Sequence, residues 1–358
     1  MSDETGGRIE GDLMSRRQAI ALAAGSAGVL VGASAAEAED RAATGRPTRR
    51  FDVVIIGGGP AGLSAALVFG RACRKVLVCD SGRGRNAPAA GVHGFFSQDG
   101  TPPAELRRIG RDQLKPYDVQ FHSGTATEAR PVEGGFEVTL DGAEVVACRK
   151  LILATGLVDV LPEIPGLQEL WGTGVIHCPY CHGWEYRGRP WAFLTPKESV
   201  VETATLLFGW TKQLTLLTDG PAELSPEDRA WLEGQAVEVV EERIDRLEGG
   251  GGTLRAIHLA SGRRIEPATL FVRTRLRQGA SLPEALGCEF VGEGPTKGMV
   301  KTDPAGMTQV KGLYVVGDAS SVGVPSVASA VAEGSMTAAV ANMAMLTEDA
   351  PRRPGRRE

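Results

Sequence analysis

The sequence lacks a strong charge of either sign: 39 Lys and Arg against 44 Asp and Glu leave a net charge of −5 over 358 residues. That gives no reason to expect nucleic acid or an acidic membrane surface as a partner. Cysteine is scarce, with Cys73, Cys79, Cys148, Cys178, Cys181 and Cys288 making six, and only Cys178 and Cys181 are close in a way that suggests a pair. A disulfide scaffold is excluded, and singles such as Cys73 and Cys79 in apolar runs read as small buried hydrophobes. There is no short repeat, and no low-complexity segment apart from the glycine turn at 249–252. The one apolar run near the N-terminus is short and only mildly apolar, which argues against an uncleaved membrane anchor. A hydrophobic fraction of 42% and a charged fraction of 23% are those of a soluble globular protein, long enough for two domains.

The N-terminus has its own pattern. "MSRRQAIALAAGSAGVLVGASAAEAED" sets Arg16-Arg17 before an apolar stretch that ends in Ala36-Glu37-Ala38. This is the layout of a twin-arginine export signal over 1–38 with cleavage after Ala38, a disordered extension being the plainer alternative. Export by this route places the folded protein outside the cytoplasm, with no membrane contact once the signal is removed. Residues 39–50 read as a polar linker and 347–358 as a flexible, solvated tail.

Glycine is abundant, at 47 residues, which suggests tight turns and close backbone approach to a ligand. "FDVVIIGGGPAGLSAALVFGRACRKVLVCD" runs strand, glycine turn, helix, strand. Within it Gly57-x-Gly59-x-x-Gly62 follows a doubly covered strand and opens a helix, with Pro60 and Ala61 at the helix start. Gly57 permits the tight turn, Gly59 lets backbone approach a pyrophosphate, and Gly62 allows close helix–strand packing. The helix N-terminus favours the pyrophosphate, and Asp80 at the end of the next strand is placed to accept from a ribose. Further along, a helix is expected across "PPAELRRIGRDQLKPY", then short strands with a turn at Asp141-Gly142. "RPWAFLT", "VVETATLLFGW" and "KQLTLLT" form a second strand–helix–strand unit. "TLFVRT" and "GLYVVGDAS" are later strands, and a small-residue helix runs from about Val327 to Leu346. The fold class is α/β, doubly wound, with two similar units.

"CPYCHGWE", residues 178–185, packs two thiols and an imidazole together. The spacing alone fits a redox-active pair, covalent haem attachment, half of a zinc site or an inert structural disulfide. Zinc lacks a second ligand pair, since Cys148 and Cys288 are isolated. Haem is attached to an unfolded chain, which conflicts with export of a folded one. In a redox pair, the imidazole of His182 can take a thiol proton and favour the reactive thiolate. Glu185 is spaced to orient His182.

From "FDVVIIGGGPAGLSAA" to "GSMTAAVANM" the chain resembles the low-molecular-weight thioredoxin reductases, in the order FAD fingerprint, "ATG", CxxC, middle domain, "GD". "DSGRGRNAPAAGVHGFFSQDGTPPAEL" and "CPYCHGWE" resemble a narrower branch that includes the dithiol oxidases of gliotoxin and holomycin biosynthesis. The resemblance implies two Rossmann-like domains: a discontinuous FAD domain over 51–165 and 276–346, and an inserted NAD(P)-type domain over 166–275 that carries the cysteines. It implies FAD as cofactor, held by the glycine turn, Asp80, Asn86, Thr155-Gly156 and Gly317-Asp318, with Val327 and Ala328 at a helix start facing the ring. It implies that Cys181 faces the flavin, Cys178 exchanges with substrate and His182 replaces the usual acid. A homodimer is implied as well.

One family element is missing. Where a second glycine fingerprint would bind NADPH, the sequence reads "WAFLTPKESVVETATLL", with Pro196, Lys197 and Glu198 in the turn and no glycine. The side chains would crowd a pyrophosphate and Glu198 would repel it. The expectation is therefore an FAD-dependent oxidase of a small-molecule or protein dithiol, with O2 as acceptor and hydrogen peroxide as product. The alternatives are a disulfide reductase fed by NAD(P)H or ferredoxin, and a non-catalytic redox sensor.

Overall fold

The structure is a computed structural model and describes residue 47 and residues 49–351. The export signal, nearly all of the linker and most of the tail lie outside the described residues. The first strand, β1 (Arg49–Ile56), starts within the stretch read as linker. It leads through the glycine turn into α1 (Pro60–Arg71) and then β2 (Val76–Asp80). α2 (Pro103–Leu114) follows a long irregular loop, then β3 (Val119–Ser123), β4 (Ala126–Val132), β5 (Gly135–Leu140) and β6 (Glu144–Leu153).

These strands form one sheet in the order β3-β2-β1-β6-β5-β4. β6 is long enough to serve two partners on one edge. Its first half pairs antiparallel with β5, and its second half pairs parallel with β17 (Leu313–Val315). The alternation from Val53 to Ile56 shows why this end of β1 is apolar at every position. Val53 and Ile55 face α1 and the C-terminal helix, in a cluster with Phe69 and Met345. Phe51, Val54 and Ile56 face the other side, with Phe136, Val138 and Leu140. Burial on both faces requires hydrophobic residues at every position.

The chain crosses to a second lobe through β7 (Leu157–Val160) and returns through β16 (Arg275–Gln278), which pair with each other as an antiparallel ribbon. Between them lie β8 (Val175–Ile176), α3 (Pro179–Tyr186), β9 (Trp191–Leu194), α4 (Val200–Leu207), β10 (Leu214–Leu217), α5 (Pro226–Gly234), β11 (Glu238–Val240) and β15 (Thr269–Val272). The parallel sheet of this lobe has the order β11-β10-β9-β15-β8, and an antiparallel layer of β12 (Ile244–Gly250), β13 (Thr253–Leu259) and β14 (Arg264–Ile265) packs on it.

The final helix, α6, runs Val327–Asp349, three residues beyond the expected end. Its C-terminus is anchored, because Glu348 pairs with Lys150 at 2.5 Å and Asp349 pairs with Arg149 at 2.8 Å. The stretch read as tail thus begins inside a helix. α6 lies against α1 through small residues. A Cβ on Gly334 would stand 2.1 Å from the carbonyl oxygen of Ala61, so only glycine permits this approach. The turn at Asp141-Gly142 has positive φ at both residues (49° and 74°) and is closed by the Ala143 N–H on the Leu140 carbonyl, within a three-residue connection from Leu140 to Glu144.

Candidate functional site

The sequence-marked residues of the first lobe converge at the C-terminal ends of its parallel strands, where open α/β sheets bind ligands. Gly57 has φ +111° and donates its N–H to the Cys79 carbonyl. A Cβ there would be 2.2 Å from the Ala154 oxygen, and one on Gly62 would be 1.9 Å from the Gly57 oxygen. Gly59 differs, since nothing lies within 4 Å of where its Cβ would be. Two glycines are needed for packing, and the third faces free space at the start of α1. Gly317 (φ +70°) brings the "GD" turn onto Ala61 and donates its N–H to Glu333 at 2.9 Å. Gly156, also at positive φ, follows Thr155 at the end of β6. Val327 and Ala328 open α6 after the Ser326 cap, whose hydroxyl accepts from the Ser329 N–H.

Asp80, expected to accept from a ribose, also has partners within the protein. Its carboxylate accepts from Arg111 at 2.5 Å and from the Gly82 N–H at 3.1 Å. Beside it is a cleft of about 460 Å³ lined by Asp80, Arg83, Arg111 and Thr125 among others.

Sequence reasoning missed an ionic cluster behind this cradle. Arg85 donates two bonds to Asp159 (2.7 and 2.9 Å) and one to Asp318 (3.0 Å), while Thr274 donates to Asp159 at 2.6 Å. Burial opposes charge on Arg85, but the bonds to Asp159 and the two carboxylate charges outweigh it and keep the guanidinium protonated. Asp159 is held below the usual carboxylate range: its burial is more than offset by Arg85 and Thr274. Asp318 goes the other way, because burial exceeds what Arg85 returns. Asn86, next in sequence, is half-buried in the same loop.

In the second lobe Cys178 caps α3. Its sulfur accepts from the Cys181 N–H at 3.2 Å, and Pro179 supplies the preset φ of the first helical position. Cys178 and Cys181 form a disulfide and both are partly exposed. Their sulfurs are joined to each other, and among the described residues no group of His, Cys, Asp or Glu is arranged to hold a metal ion. Gly183 makes room for Trp210, whose ring would lie 2.6 Å from an added Cβ.

His182 follows with both ring nitrogens buried and without a well-formed hydrogen bond, although the Cys178 carbonyl and the Glu185 charge are near enough to favour its protonated form. Burial pushes its pKa below the ordinary histidine value, so the ring is neutral at pH 7 and free to accept a proton. Glu185 does not orient it as its spacing suggested. It turns to His93 of the first lobe, at 3.8 Å. A second imidazole, His177, stacks on Trp171 with centroids 5.3 Å apart, and burial lowers its pKa to about 4.

The turn between β9 and α4 is filled. Residues 197–199 form a single 3-10 turn after Pro196, no residue there has positive φ, and Lys197 pairs with Glu223 at 2.8 Å.

The first cradle fits FAD. Beyond the free space at Gly59, the Thr155 hydroxyl and the Gln278 side-chain oxygen are buried with no protein partner, and both belong to the segments that meet there. Buried polar atoms are ordinarily bonded, so these are groups a bound cofactor would satisfy.

Residues 51–334 match the sequence profile of the pyridine nucleotide-disulphide oxidoreductases. A thioredoxin reductase named tcpT from Claviceps purpurea is 32% identical over 83% of this chain and 95% of its own length. The crystal structure of an oxidoreductase from Agrobacterium tumefaciens is 38% identical with a TM-score of 0.77, covering 84% of this chain and all of that one. The crystal structure of HlmI is 37% identical with a TM-score of 0.77 and covers 83% and 93%. The chain therefore belongs to the pyridine nucleotide-disulphide oxidoreductase family, as a thioredoxin reductase-like disulfide oxidoreductase of the kind that uses FAD.

Proposed function

We propose that the protein oxidises a substrate dithiol to a disulfide and disposes of the electrons on molecular oxygen, giving hydrogen peroxide. The observation that carries this reading is the filled turn of the second lobe. A fold with two nucleotide-binding units retains one cradle, while Pro196, Lys197 and Glu198 stand where the other would need bare backbone. A reductase fed by NADPH needs both.

Gly59, Thr155, Gln278, Asp318 and the start of α6 would hold FAD. When bound, it supplies two-electron acceptance from a dithiol and return of the electrons to oxygen. The side chains account for the sulfur chemistry. A substrate thiolate attacks Cys178, the Cys178–Cys181 bond breaks, and Cys181 leaves as a thiolate. A second substrate thiol then attacks the first substrate sulfur and displaces Cys178 as a thiolate, closing the substrate disulfide. His182, neutral by burial, takes the proton of the attacking thiol. The Cys181 N–H and the α3 N-terminus stabilise negative charge on Cys178.

The enzyme is proposed to act as a homodimer and to be exported folded, with its cofactor bound, through the signal at 1–38. That agrees with a route independent of NADPH, which is scarce outside the cytoplasm. A second reading, a disulfide reductase, draws support from the thioredoxin reductase names of similar proteins. An oxygen electrode distinguishes the two. With dithiothreitol in air, oxygen is consumed and peroxide accumulates, and NADPH gives no uptake. Uptake with NADPH and none with any dithiol would overturn the proposal.

A further inference from the structure

The irregular loop after β2 touches the crossing ribbon at one point and the second lobe at two more. Arg85 grips Asp159, whose side chain is 4% exposed and which lies in β7, one of the two strands by which the chain crosses between lobes. Pro88 and Ala89 meet Gly172, where a Cβ would stand 2.8 Å from the Pro88 Cβ and 3.3 Å from the Ala89 nitrogen. His93 reaches Glu185 on α3 at 3.8 Å, steadied by Asp99 at 3.5 Å and by the Val92–Thr101 bridge of its own hairpin. The crossing ribbon is fastened from its other strand too. Thr274, just before β16, donates to Asp159, and Gln278 at the end of β16 donates to the carbonyls of Gly298 and Ala319.

From this arrangement we infer that residues 85–93 form a strap, with Arg85 as its positioning residue, that keeps the disulfide lobe docked on the flavin lobe throughout turnover. The inference rests on the dithiol-oxidase reading, since electrons that enter from Cys178–Cys181 and leave to oxygen require only one arrangement of the lobes. The bidentate bond of Arg85 to a nearly fully buried carboxylate fixes direction as well as distance. Such a bond is costly to break from one side, because the partner charge is left buried and unpaired. The third bond, to Asp318, ties the same guanidinium to the cofactor end of the first lobe. Arg85 thus joins ribbon and cradle with one side chain.

The test uses the FAD-loaded enzyme, oxidised and then reduced anaerobically with dithiothreitol. Small-angle scattering of the wild type is expected to be the same in both states. In Arg85→Ala the profile changes on reduction, and backbone amides of the crossing ribbon exchange at least about 10-fold faster. Flavin bleaching by dithiothreitol slows by about 100-fold, as expected for a misplaced reacting group. The reaction of the reduced cysteines with a small disulfide reagent stays within two-fold, which a general loss of structure would not allow. Arg85→Lys, which keeps the charge and loses the fork, recovers part of the bleaching rate. Gly172→Val, a wedge under Pro88 at a position of φ +82°, gives the same pattern and serves if Arg85→Ala does not fold.

A wild-type profile that shifts on reduction overturns the strap. So does an Arg85→Ala enzyme whose ribbon exchange and bleaching rate match the wild type. These readouts are independent of the oxygen electrode. An enzyme that takes up no oxygen but keeps a constant profile refutes the function while leaving the docked lobes in place.

Discussion

The two lobes offer the same strand–turn–helix at corresponding places and treat it differently. In the first, Gly57 and Gly62 let the turn close on itself and Gly59 faces free space. In the second, proline and two charged residues occupy the turn, which coils into a 3-10 segment and pairs Lys197 with Glu223. Both are sound ways to join a strand to a helix. Only the first has a glycine facing open space, where a pyrophosphate can meet the backbone with no side chain in the way. On the proposed reading, nucleotide binding depends on a few side chains being absent, and a Rossmann-like topology persists without that capacity.

Substitutions test the contrast in order of effect. Cys181→Ser removes the leaving sulfur and should cut dithiol-dependent oxygen uptake by on the order of 10⁴-fold while the protein stays yellow; an unimpaired variant would refute the role given to the pair. Gly62→Ala places a methyl group 1.9 Å from the Gly57 oxygen. It should destabilise the first lobe by about 3 kcal/mol, as severe overpacking does, and yield protein depleted in FAD by absorbance after purification.

Acid should expose His177. Its folded pKa of about 4 lies below the ordinary 6.5, so as pH falls between these values the unfolded chain binds a proton that the folded one does not. Stability should decline through that window by up to about 3 kcal/mol. Asp318 and Glu333, whose carboxyl pKa values are raised by burial, act in the opposite direction. The difference in Tm slope between wild type and His177→Gln isolates the histidine, and equal slopes would contradict its neutral state. The smallest effect is expected at Lys197→Ala, in an exposed ion pair of the filled turn: Tm and oxygen uptake unchanged, with a rise in KM for NADPH signalling instead that the turn binds nucleotide.

Much of this was legible from the sequence because it is local. The glycine spacing, the strand before it and the Cys-x-x-Cys pair each lie within a few residues, and their geometry follows from chain stereochemistry. The filled second turn was legible for the same reason. Arg85, Asp159 and Thr274 were not, because they meet across separations of 74 and 115 residues and no periodicity marks them. His177 and Gly172 looked ordinary for a similar reason, since their importance comes from Trp171 and Pro88 on the surfaces they meet. Glu185 shows the reverse error: three positions from His182 suggested a partner, and folding offered it His93.

The central claim is that electrons enter this protein from a dithiol and never from a pyridine nucleotide. Its most direct test is the visible spectrum of the purified flavoprotein, titrated without oxygen, first with NADPH and then with dithiothreitol. NADPH should leave the flavin band untouched, and dithiothreitol should bleach it until air restores the colour. Stoichiometric bleaching by NADPH would contradict the account.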